Sequence, residues 1–210
     1  MTSLIDFIIR QQDLILSRLA EHSAMVLTAL SISIVVGVTI GYLITYNKHV
    51  AKVVIYMCGM IMTIPSLALF VFFIPIFGLG PRPAIAGLVL YTLLPIVRNV
   101  YVGITNIDPA IIMAARGMGM TELAITFKIK IPLALPVAFA GIRTAVVMGI
   151  GLGAIAAFIA AGGLGVFIFQ GINRGNTNMI LVGALFTTIL AVIVDRVMQF
   201  IQRQTEKMVR

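Results

Sequence analysis

Long apolar intervals without charge, separated by short polar clusters, dominate the pattern of this chain. Lys, Arg, Asp and Glu are absent from residues 22–47, 53–81, 83–97, 144–173 and 175–194. The hydrocarbon core of a bilayer, about 30 Å thick, needs roughly 20 apolar residues per helix. The pattern therefore predicts an all-α integral membrane protein with about five spans, near residues 24–46, 51–77, 84–104, 137–160 and 178–201. We expect the glycine-rich stretch after the fourth span, which contains Gly162 and Gly163, to be irregular or re-entrant.

Composition supports the membrane interpretation. The 210 residues are 60% hydrophobic and 10% charged, and the mean hydropathy is +1.12, whereas soluble domains are about a quarter charged. The formal net charge of +8 would suggest nucleic acid in a soluble protein, but the basic residues are scattered singly between uncharged stretches. Cys58 is the one cysteine, and no Cys/His cluster has the spacing of a metal site.

The first 21 residues have a different pattern. Charged residues interrupt any apolar core of a signal peptide. Apolar residues instead recur roughly at helical spacing, which predicts an amphipathic helix in the interface over residues 1–21, followed by a membrane domain over 22–210. A frayed terminus is the alternative. The interrupting charges are Asp6, Arg10, Asp13, Arg18 and Glu21.

Basic residues indicate the orientation. With five spans and the N-terminus outside, most Lys and Arg residues lie in cytoplasmic segments or at cytoplasmic helix ends. The outer side then keeps only Arg10, Arg18, Arg82 and Arg174. The excess of positive charge on cytoplasmic segments predicts an outer N-terminus and a cytoplasmic C-terminus.

One sizeable hydrophilic connection, residues 105–131, faces the cytoplasm in that topology. Asp108 followed by Pro109 is typical of a helix start, and Gly117 and Gly119 are expected to end this helix. A second short helix from Thr121 to about residue 129 is predicted, and Pro132 and Pro136 then mark the entry to the next span.

This connection resembles the loop motif of bacterial ATP-binding-cassette (ABC) importer permeases. The family motif is E-A-A, three residues, G, nine residues, then I-x-L-P. The chain departs from it at Met113, where the family usually has glutamate, and mildly at Ile131. The matching stretches are Ala114-Ala115-Arg116-Gly117-Met118-Gly119 and Ile129-Lys130-Ile131-Pro132. The resemblance implies that the loop docks on an ATPase. We call residues 108–122 the coupling segment. Its candidate residues are Asp108, Ala114, Ala115, Arg116, Gly117, Met118, Gly119, Thr121 and Glu122.

The resemblance extends over nearly the whole chain from about residue 22. Four further runs are similar to permeases of osmoprotectant importers, which take up quaternary amines such as glycine betaine, carnitine or choline. These runs are Thr63-Ile64-Pro65-Ser66-Leu67-Ala68, Leu93-Leu94-Pro95-Ile96-Val97-Arg98-Asn99, Ala140-Gly141-Ile142-Arg143-Thr144 and Gly162-Gly163-Leu164-Gly165.

That resemblance implies an assembly in a bacterial cell membrane, with a permease fold of the type I ABC importers. Two permease subunits, identical or sister chains, would form the pathway, two separate ATPase subunits would hold ATP and Mg, and a separate external protein would bind the solute. The chain has no Walker-type phosphate loop and no Ser/His/Asp constellation. We therefore expect a transport subunit that is not itself an enzyme and holds no cofactor or metal.

Polar residues at membrane depth are candidates for the translocation pathway, because each is costly unless it is partnered or faces water. Thr63 and Ser66 flank Pro65, which frees a backbone carbonyl and favours a kink. Tyr91 and Asn99 in the third span are similar candidates. Local bonding of the two hydroxyls to the backbone, and core packing of the tyrosine, are the structural alternatives.

Three charged residues lie just inside the cytoplasmic boundary. We expect Asp195 to pair with Arg143 or with Arg98 and so to join the inner ends of the helices, unless all three only snorkel to the interface.

Small residues predict close helix packing. Gly37 and Gly41 in the first span, and several glycines from Gly149 onward in the fourth, have the spacing that lets helices approach in lipid.

Other functions stay open at this level. One alternative is an ABC importer permease for methionine or another small amino acid. A self-sufficient secondary transporter or channel ranks low, because no internal repeat and no carboxylate near the midplane are evident. The chain has no tryptophan, the strongest aromatic partner for a quaternary ammonium, so we expect solute recognition to lie mainly in the external binding protein.

Overall fold

A computed structural model describes residues 4–209, without the side chains of Glu206, Met208 and Val209. The described part is helical and contains no strand. Its helices are α1 (Leu4–Arg10), α2 (Gln12–Leu43), α3 (Lys48–Thr63), α4 (Ser66–Phe72), α5 (Ile74–Phe77), α6 (Pro81–Thr105), α7 (Pro109–Gly117), α8 (Glu122–Ile125), α9 (Ile131–Ile155), α10 (Gly165–Asn173) and α11 (Thr177–Val209). Short 3₁₀ turns follow α2 and α9, over Ile44–Tyr46 and Ala156–Ile159.

Four helical stretches are long and apolar enough to cross a membrane by themselves. They are Gln12–Tyr46, Pro81–Thr105, Glu122–Ile159 and Thr177–Thr205. A fifth crossing is made only if Lys48–Thr63 and Ser66–Phe77 count as one broken span. The chain is therefore an integral membrane protein, as predicted.

The span predicted near residues 51–77 is broken at Pro65, where the sequence favours a kink. The two halves meet at an angle of 100°, and Ile64 at the break is extended, with φ −72° and ψ 132°. A residue before proline disfavours the α conformation, because the ring of Pro65 would clash with its backbone. The break therefore follows from the sequence Ile64-Pro65.

The amino-terminal helix is shorter than predicted. The structure has α1 over Leu4–Arg10, and α2 begins already at Gln12. Residues 12–21, assigned from the sequence to an interfacial helix over 1–21, are the first turns of the first long helix instead. Residues 1–3 of that prediction lie outside the described part. Buried Ile15 packs with Phe167 and Met179, and this tertiary contact extends the helix.

The predicted loop over 105–131 is also shorter. The expected second short helix near residues 121–129 is the beginning of the fourth long stretch, since α8 continues through a π-helical turn, Thr126–Lys130, into α9. The wide turn lies directly before Pro132, whose ring would crowd the carbonyl of Lys128 in a regular α-helix. Pro136 is accommodated inside α9.

Glycines bring α2, α6 and α9 into close contact. A Cβ atom on Gly37 would lie 2.8 Å from Cγ2 of Ile96, and one on Gly41 would lie 2.7 Å from Cβ of Val100. The hydroxyls of Ser33 and Thr92, both buried, bond at 2.6 Å between α2 and α6. The close packing predicted for Gly37 and Gly41 is thus confirmed between α2 and α6, whereas Gly151, in the predicted run of the fourth span, meets no atom within 4 Å. In lipid, helix association depends on such close approach.

Candidate functional site

Asp108 starts the helix of the coupling segment, as its sequence predicts. Oδ1 of Asp108 accepts the backbone N–H of Ala110 at 2.8 Å, and Pro109 occupies the first helical position. The cap satisfies one of the donors that every helix leaves free at its start, and proline has no donor to satisfy. The nine-residue helix α7 therefore begins at a defined residue.

Gly119 ends this helix with a Schellman turn. The N–H of Met120 donates to the carbonyl of Ala115 at 3.1 Å, and the N–H of Gly119 donates to that of Arg116 at 2.9 Å. Gly119 has φ +79°, the left-handed conformation that this turn requires and that residues with a Cβ atom disfavour. The conformation of this turn therefore explains why the loop motif has glycine at this position.

Arg116 and Glu122 connect the two sides of the turn. The Nε atom of Arg116 lies 2.7 Å from Oε1 of Glu122, and this hydrogen bond raises the pKa of the guanidinium, which stays charged. Thr121 caps α8 by accepting the N–H of Ala124 at 3.3 Å. Both side chains of the pair are exposed, so the pair orients α7 on α8 more than it stabilises the fold.

Large apolar side chains project from the coupling segment and the turn after it. Met113, Met118, Leu123 and Phe127 are each between 64% and 73% exposed. Of the two motif alanines, Ala115 is fully buried and Ala114 is exposed. Met113 and Met118 lie in the coupling segment, whereas Leu123 and Phe127 lie in the first turns of the fourth long stretch. Exposed apolar patches are typical of a contact with another protein or with a membrane. We call these four large side chains the apolar docking patch.

Asp195 pairs with Arg143, one of its two predicted partners. Nε and Nη2 of Arg143 lie 2.6 and 2.9 Å from Oδ1 and Oδ2 of Asp195. Both side chains are less than one third exposed. Arg98 is exposed and makes none of the three ion pairs recorded among the described residues. The structure therefore decides between the alternatives and leaves Arg98 outside the pair.

A cavity of about 520 Å³ lies beside this ion pair. Its polar lining comes from Arg143, Thr144, Asp195 and Gln202. Both charges of the pair thus border an open space between α9 and α11.

The break between α3 and α4 is held by Tyr91. The hydroxyl of Tyr91, on α6, donates to the carbonyl of Ile64, which lies at the break and accepts no helical bond there. Thr63 bonds locally to the carbonyl of Met60 at 2.7 Å. Thr63 and Pro65 are exposed, and Ser66 is half-buried. The structure thus brings four of the five pathway candidates to one irregular segment.

Asn99, the fifth pathway candidate, lies inside α6, one turn after Pro95. Its Nδ2 atom donates to the carbonyl of Pro95 at 2.7 Å, within α6. A Cβ atom on Gly141 would lie 2.4 Å from that same carbonyl. Asn99 therefore takes part in the tight contact between α6 and α9.

Sequence reasoning missed two neighbouring residues, Glu21 and His22. The side chain of His22, which follows the last charge of the amino-terminal segment, is completely buried. Glu21 bonds to the turn after α9, and His22 bonds to α9 itself. The signal that could have indicated them is the pair Gly162-Gly163, because two adjacent glycines often mark a close backbone approach. No cluster of three His, Cys, Asp or Glu side chains fit for a metal ion occurs within residues 4–209.

A family match covers most of the chain. Residues 33–207 match the family described as "Binding-protein-dependent transport system inner membrane component". The osmoprotectant import permease protein OsmW of Salmonella typhimurium is 42% identical over 187 residues, which is 87% of this chain and 87% of that protein. The glycine betaine/carnitine/choline transport system permease protein OpuCB of Bacillus subtilis is 40% identical over 190 residues, 90% of this chain and 88% of that one.

A solved structure with the same fold is that of the MetNI methionine ABC transporter in inward-facing conformations. Its chain superposes with a TM-score of 0.82 and 25% identity, covering 93% of this chain and 98% of that chain.

Proposed function

The chain belongs to the family of binding-protein-dependent transport system inner membrane components, and from this premise we propose that it is the permease of an ABC importer for quaternary-amine compatible solutes. Relatives at 40% to 42% identity, over most of both chains, are named for import of osmoprotectants, glycine betaine, carnitine and choline. We propose glycine betaine, carnitine or choline as the solute because the relatives with these names are similar to this chain over most of its length.

The coupling segment is the surface that we assign to the ATPase. A capped helix, a Schellman turn and the Arg116–Glu122 pair make α7 a short rigid element beside the start of α8. The apolar docking patch would bury its exposed side chains in a groove of an ATP-binding subunit. The carboxylate usual at position 113 is replaced by methionine, so we expect this docking to depend on apolar burial at that position.

The assembly that we propose has three kinds of protein partner around this chain. Two ATP-binding subunits carry ATP and Mg, a second permease copy or sister chain completes the pathway, and a separate external protein delivers the solute to the lipid-embedded pair. ATP-driven closure of the ATPases pushes on α7, and the continuous helical stretch from α8 into α9 transmits this movement into the membrane.

The orientation follows from the charges. We place the amino terminus outside and the carboxyl terminus in the cytoplasm, because this arrangement puts the coupling segment and most basic residues on the cytoplasmic side. Thr63, Pro65, Ser66, Tyr91 and Asn99 remain our candidates for pathway lining.

A methionine importer is the second candidate, and the fold similarity to the methionine transporter favours it. The identity of 25% to that chain is lower than the 40% to 42% identity to permeases named for quaternary-amine solutes. We therefore rank the quaternary-amine function first.

Uptake into proteoliposomes tests both candidates. The permease is co-expressed with the ATPase and binding-protein genes next to its own, purified as a complex and reconstituted. We expect ATP-dependent uptake of radiolabelled glycine betaine, carnitine or choline, and none of methionine. Uptake of methionine alone would establish the second candidate, and solute uptake without any ATPase subunit would refute the importer function.

A further inference from the structure

Two adjacent residues in the first turns of α2, Glu21 and His22, form hydrogen bonds with α9 and with the turn that follows it. The N–H of Gly163 donates to Oε2 of Glu21 at 3.0 Å, although these residues are 142 positions apart. The Nε2 atom of His22 donates to the carbonyl of Ile150 at 3.1 Å. Arg18 holds Glu21 from one turn earlier, with Nη1 2.7 Å from Oε2. Consecutive residues of one helix thus bond both to α9 and to the turn beyond it.

The turn over residues 160–165 has an unusual backbone. Ala160, Gly162 and Gly163 have φ values of +60°, +80° and +78°. A left-handed alanine is unfavourable and persists only when surrounding contacts hold it. The turn is tied on one side by Glu21, and the N–H of Gly80 donates to the carbonyl of Ile159 just before it, at 2.9 Å.

The turn and the helix are sterically matched. A Cβ atom on Gly162 would lie 2.5 Å from Oε2 of Glu21, and one on Gly163 would lie 3.0 Å from Nδ1 of His22. That Nδ1 atom is buried and has no hydrogen-bond partner among the described residues. The two glycines therefore leave room for Glu21 and His22 against the turn, and their positive φ values also disfavour a residue with a Cβ atom at either position.

The turn also borders an open cavity. About 490 Å³ of space lies between α2 and α6, lined among others by Glu21, Thr28, Pro81, Ala161 and Gly162. The turn follows the carboxyl end of α9, whereas the coupling segment precedes its start. At 1.5 Å per residue the 25-residue α9 separates them by roughly 37 Å. The turn thus lies at the opposite end of the bundle.

We propose that Glu21 and His22, together with the turn over residues 160–165, form an outer latch that keeps the external end of the pathway closed until the helices rearrange for solute entry. This inference rests on the proposed importer function and its orientation. The hydrogen bond from Gly163 to Glu21 breaks when the turn leaves α2, and the cavity, which is already open at the surface, then widens around Ala161. Glu21 and His22 act as positioning residues, since Glu21 bonds to the backbone of the turn and His22 to the backbone of α9.

Thiol labelling tests the latch directly. Ala161 is 8% exposed and lines the cavity, so Ala161→Cys reports on its widening. Cys58 is the one native cysteine, and Cys58→Ser provides a background without thiols. A membrane-impermeant maleimide is added to intact cells that express the full transporter. We expect Glu21→Ala to raise the labelling rate about fivefold, the scale of one partly exposed hydrogen bond to a charged acceptor. Glu21→Gln keeps a side-chain acceptor oxygen, so its labelling rate should lie between the rates of Glu21→Ala and the parent.

Two controls separate release of the latch from general damage. Asp13→Asn removes an exposed charge from the same helix outside the latch and should leave the rate unchanged. In the chain that retains Cys58, a buried thiol of α3, labelling of this residue by a permeant maleimide should not differ between Glu21→Ala and the parent. The latch is refuted if the thiol of Ala161→Cys is labelled no faster in Glu21→Ala than in the parent. It is also refuted if Glu21→Ala raises the labelling rates of this thiol and of Cys58 equally.

Failure of the latch and failure of the importer function have different signatures. Uptake of glycine betaine by the unsubstituted complex, measured in parallel, depends on the function alone. Normal uptake together with unchanged labelling overturns only the latch. Faster labelling without uptake of any quaternary amine supports the outer latch and overturns the proposed solute.

Discussion

Arg143 of α9 and Asp195 of α11 form a two-pronged ion pair, with Nε 2.6 Å from Oδ1 and Nη2 2.9 Å from Oδ2. Two parallel hydrogen bonds hold the planar guanidinium in one orientation relative to the carboxylate. Because α9 continues from the coupling segment through α8 and the π turn, the pair links that segment to the last helix. The pair thus joins α9 to α11 at a fixed orientation of the two side chains.

Loss of one charge from this pair should impair transport. In Asp195→Asn the guanidinium of Arg143 keeps its charge without a counter-ion inside the helix bundle, which is unfavourable in a membrane. We expect clearly reduced ATP-driven uptake and a lower melting temperature of the purified complex. The double exchange Arg143→Asp with Asp195→Arg should restore part of the uptake, and Arg98→Gln should have little effect. Equal uptake by Asp195→Asn and the parent would contradict a role for the pair.

Gly119 and Gly117 provide a matched pair of substitutions in the coupling segment. A Cβ atom on either glycine meets no atom within 4 Å, but only Gly119 has a positive φ, +79°. Gly119→Ala should cost about 1 kcal/mol in the Schellman turn, and we expect weaker retention of the ATPase on the purified permease. Gly117→Ala lies in the helix and should retain the ATPase fully. If both variants behave alike, the left-handed conformation is irrelevant to docking.

The cap of α7 can be removed without changing any other contact of the coupling segment. Asp108→Ala leaves the N–H of Ala110 without its partner and should destabilise the helix start by about 1 kcal/mol. The expected result is reduced uptake at normal abundance in the membrane, measured by immunoblot. Asp108→Asn keeps a side-chain acceptor and should transport nearly normally. Normal uptake by the alanine variant would show that the cap does not affect coupling.

Gly141 and Gly151 test the contact between α6 and α9. A Cβ atom on Gly141 would lie 2.4 Å from the carbonyl of Pro95, whereas one on Gly151 meets nothing within 4 Å. Overpacking of this kind costs about 1–3 kcal/mol, so Gly141→Ala should lower the thermal stability of the detergent-purified complex. Gly151→Ala should match the parent. Equal melting temperatures for both variants would refute this packing.

Tyr91 should support the broken helix pair through its hydroxyl. Tyr91→Phe keeps the ring and removes the donor to the carbonyl of Ile64, at an expected cost of about 1 kcal/mol. We predict lower thermal stability and faster proteolysis near the break. Tyr101→Phe, on the same helix, removes a hydroxyl for which no hydrogen bond is recorded in the described part, and serves as the control. If Tyr91→Phe resists heat and proteolysis as well as Tyr101→Phe does, the hydroxyl of Tyr91 does not stabilise the break between α3 and α4.

Local features of the coupling segment were predictable because they depend on neighbouring residues. Asp108 followed by Pro109 predicts the helix start, and Gly119 predicts its end, since a cap and a left-handed turn involve only a few consecutive residues. The apolar intervals likewise predict the membrane spans, because span length depends on bilayer thickness. The resemblance of the loop supplied the family and the candidate partners.

The bounds of helices were less predictable where tertiary contacts extend or break them. The charges near the start of α2 suggested a separate interfacial helix, but packing of Ile15 against Phe167 and Met179 continues the long helix into this stretch. Pro132 suggested an entry point, but a π turn accommodates it. In both cases a contact or a backbone adjustment outweighed the local signal.

By itself the sequence determined that this protein is a bundle of membrane helices with a capped loop helix of the importer type, because hydropathy, caps and turns act over short distances along the chain. Only the tertiary structure decided that Asp195 pairs with Arg143 rather than Arg98. It alone also decided that Glu21 bonds to the turn beyond α9 and His22 to α9 itself. These partners are separated by 52 to 142 positions. Their contacts depend on how the helices are rotated and spaced against one another, and no short stretch of sequence specifies that geometry.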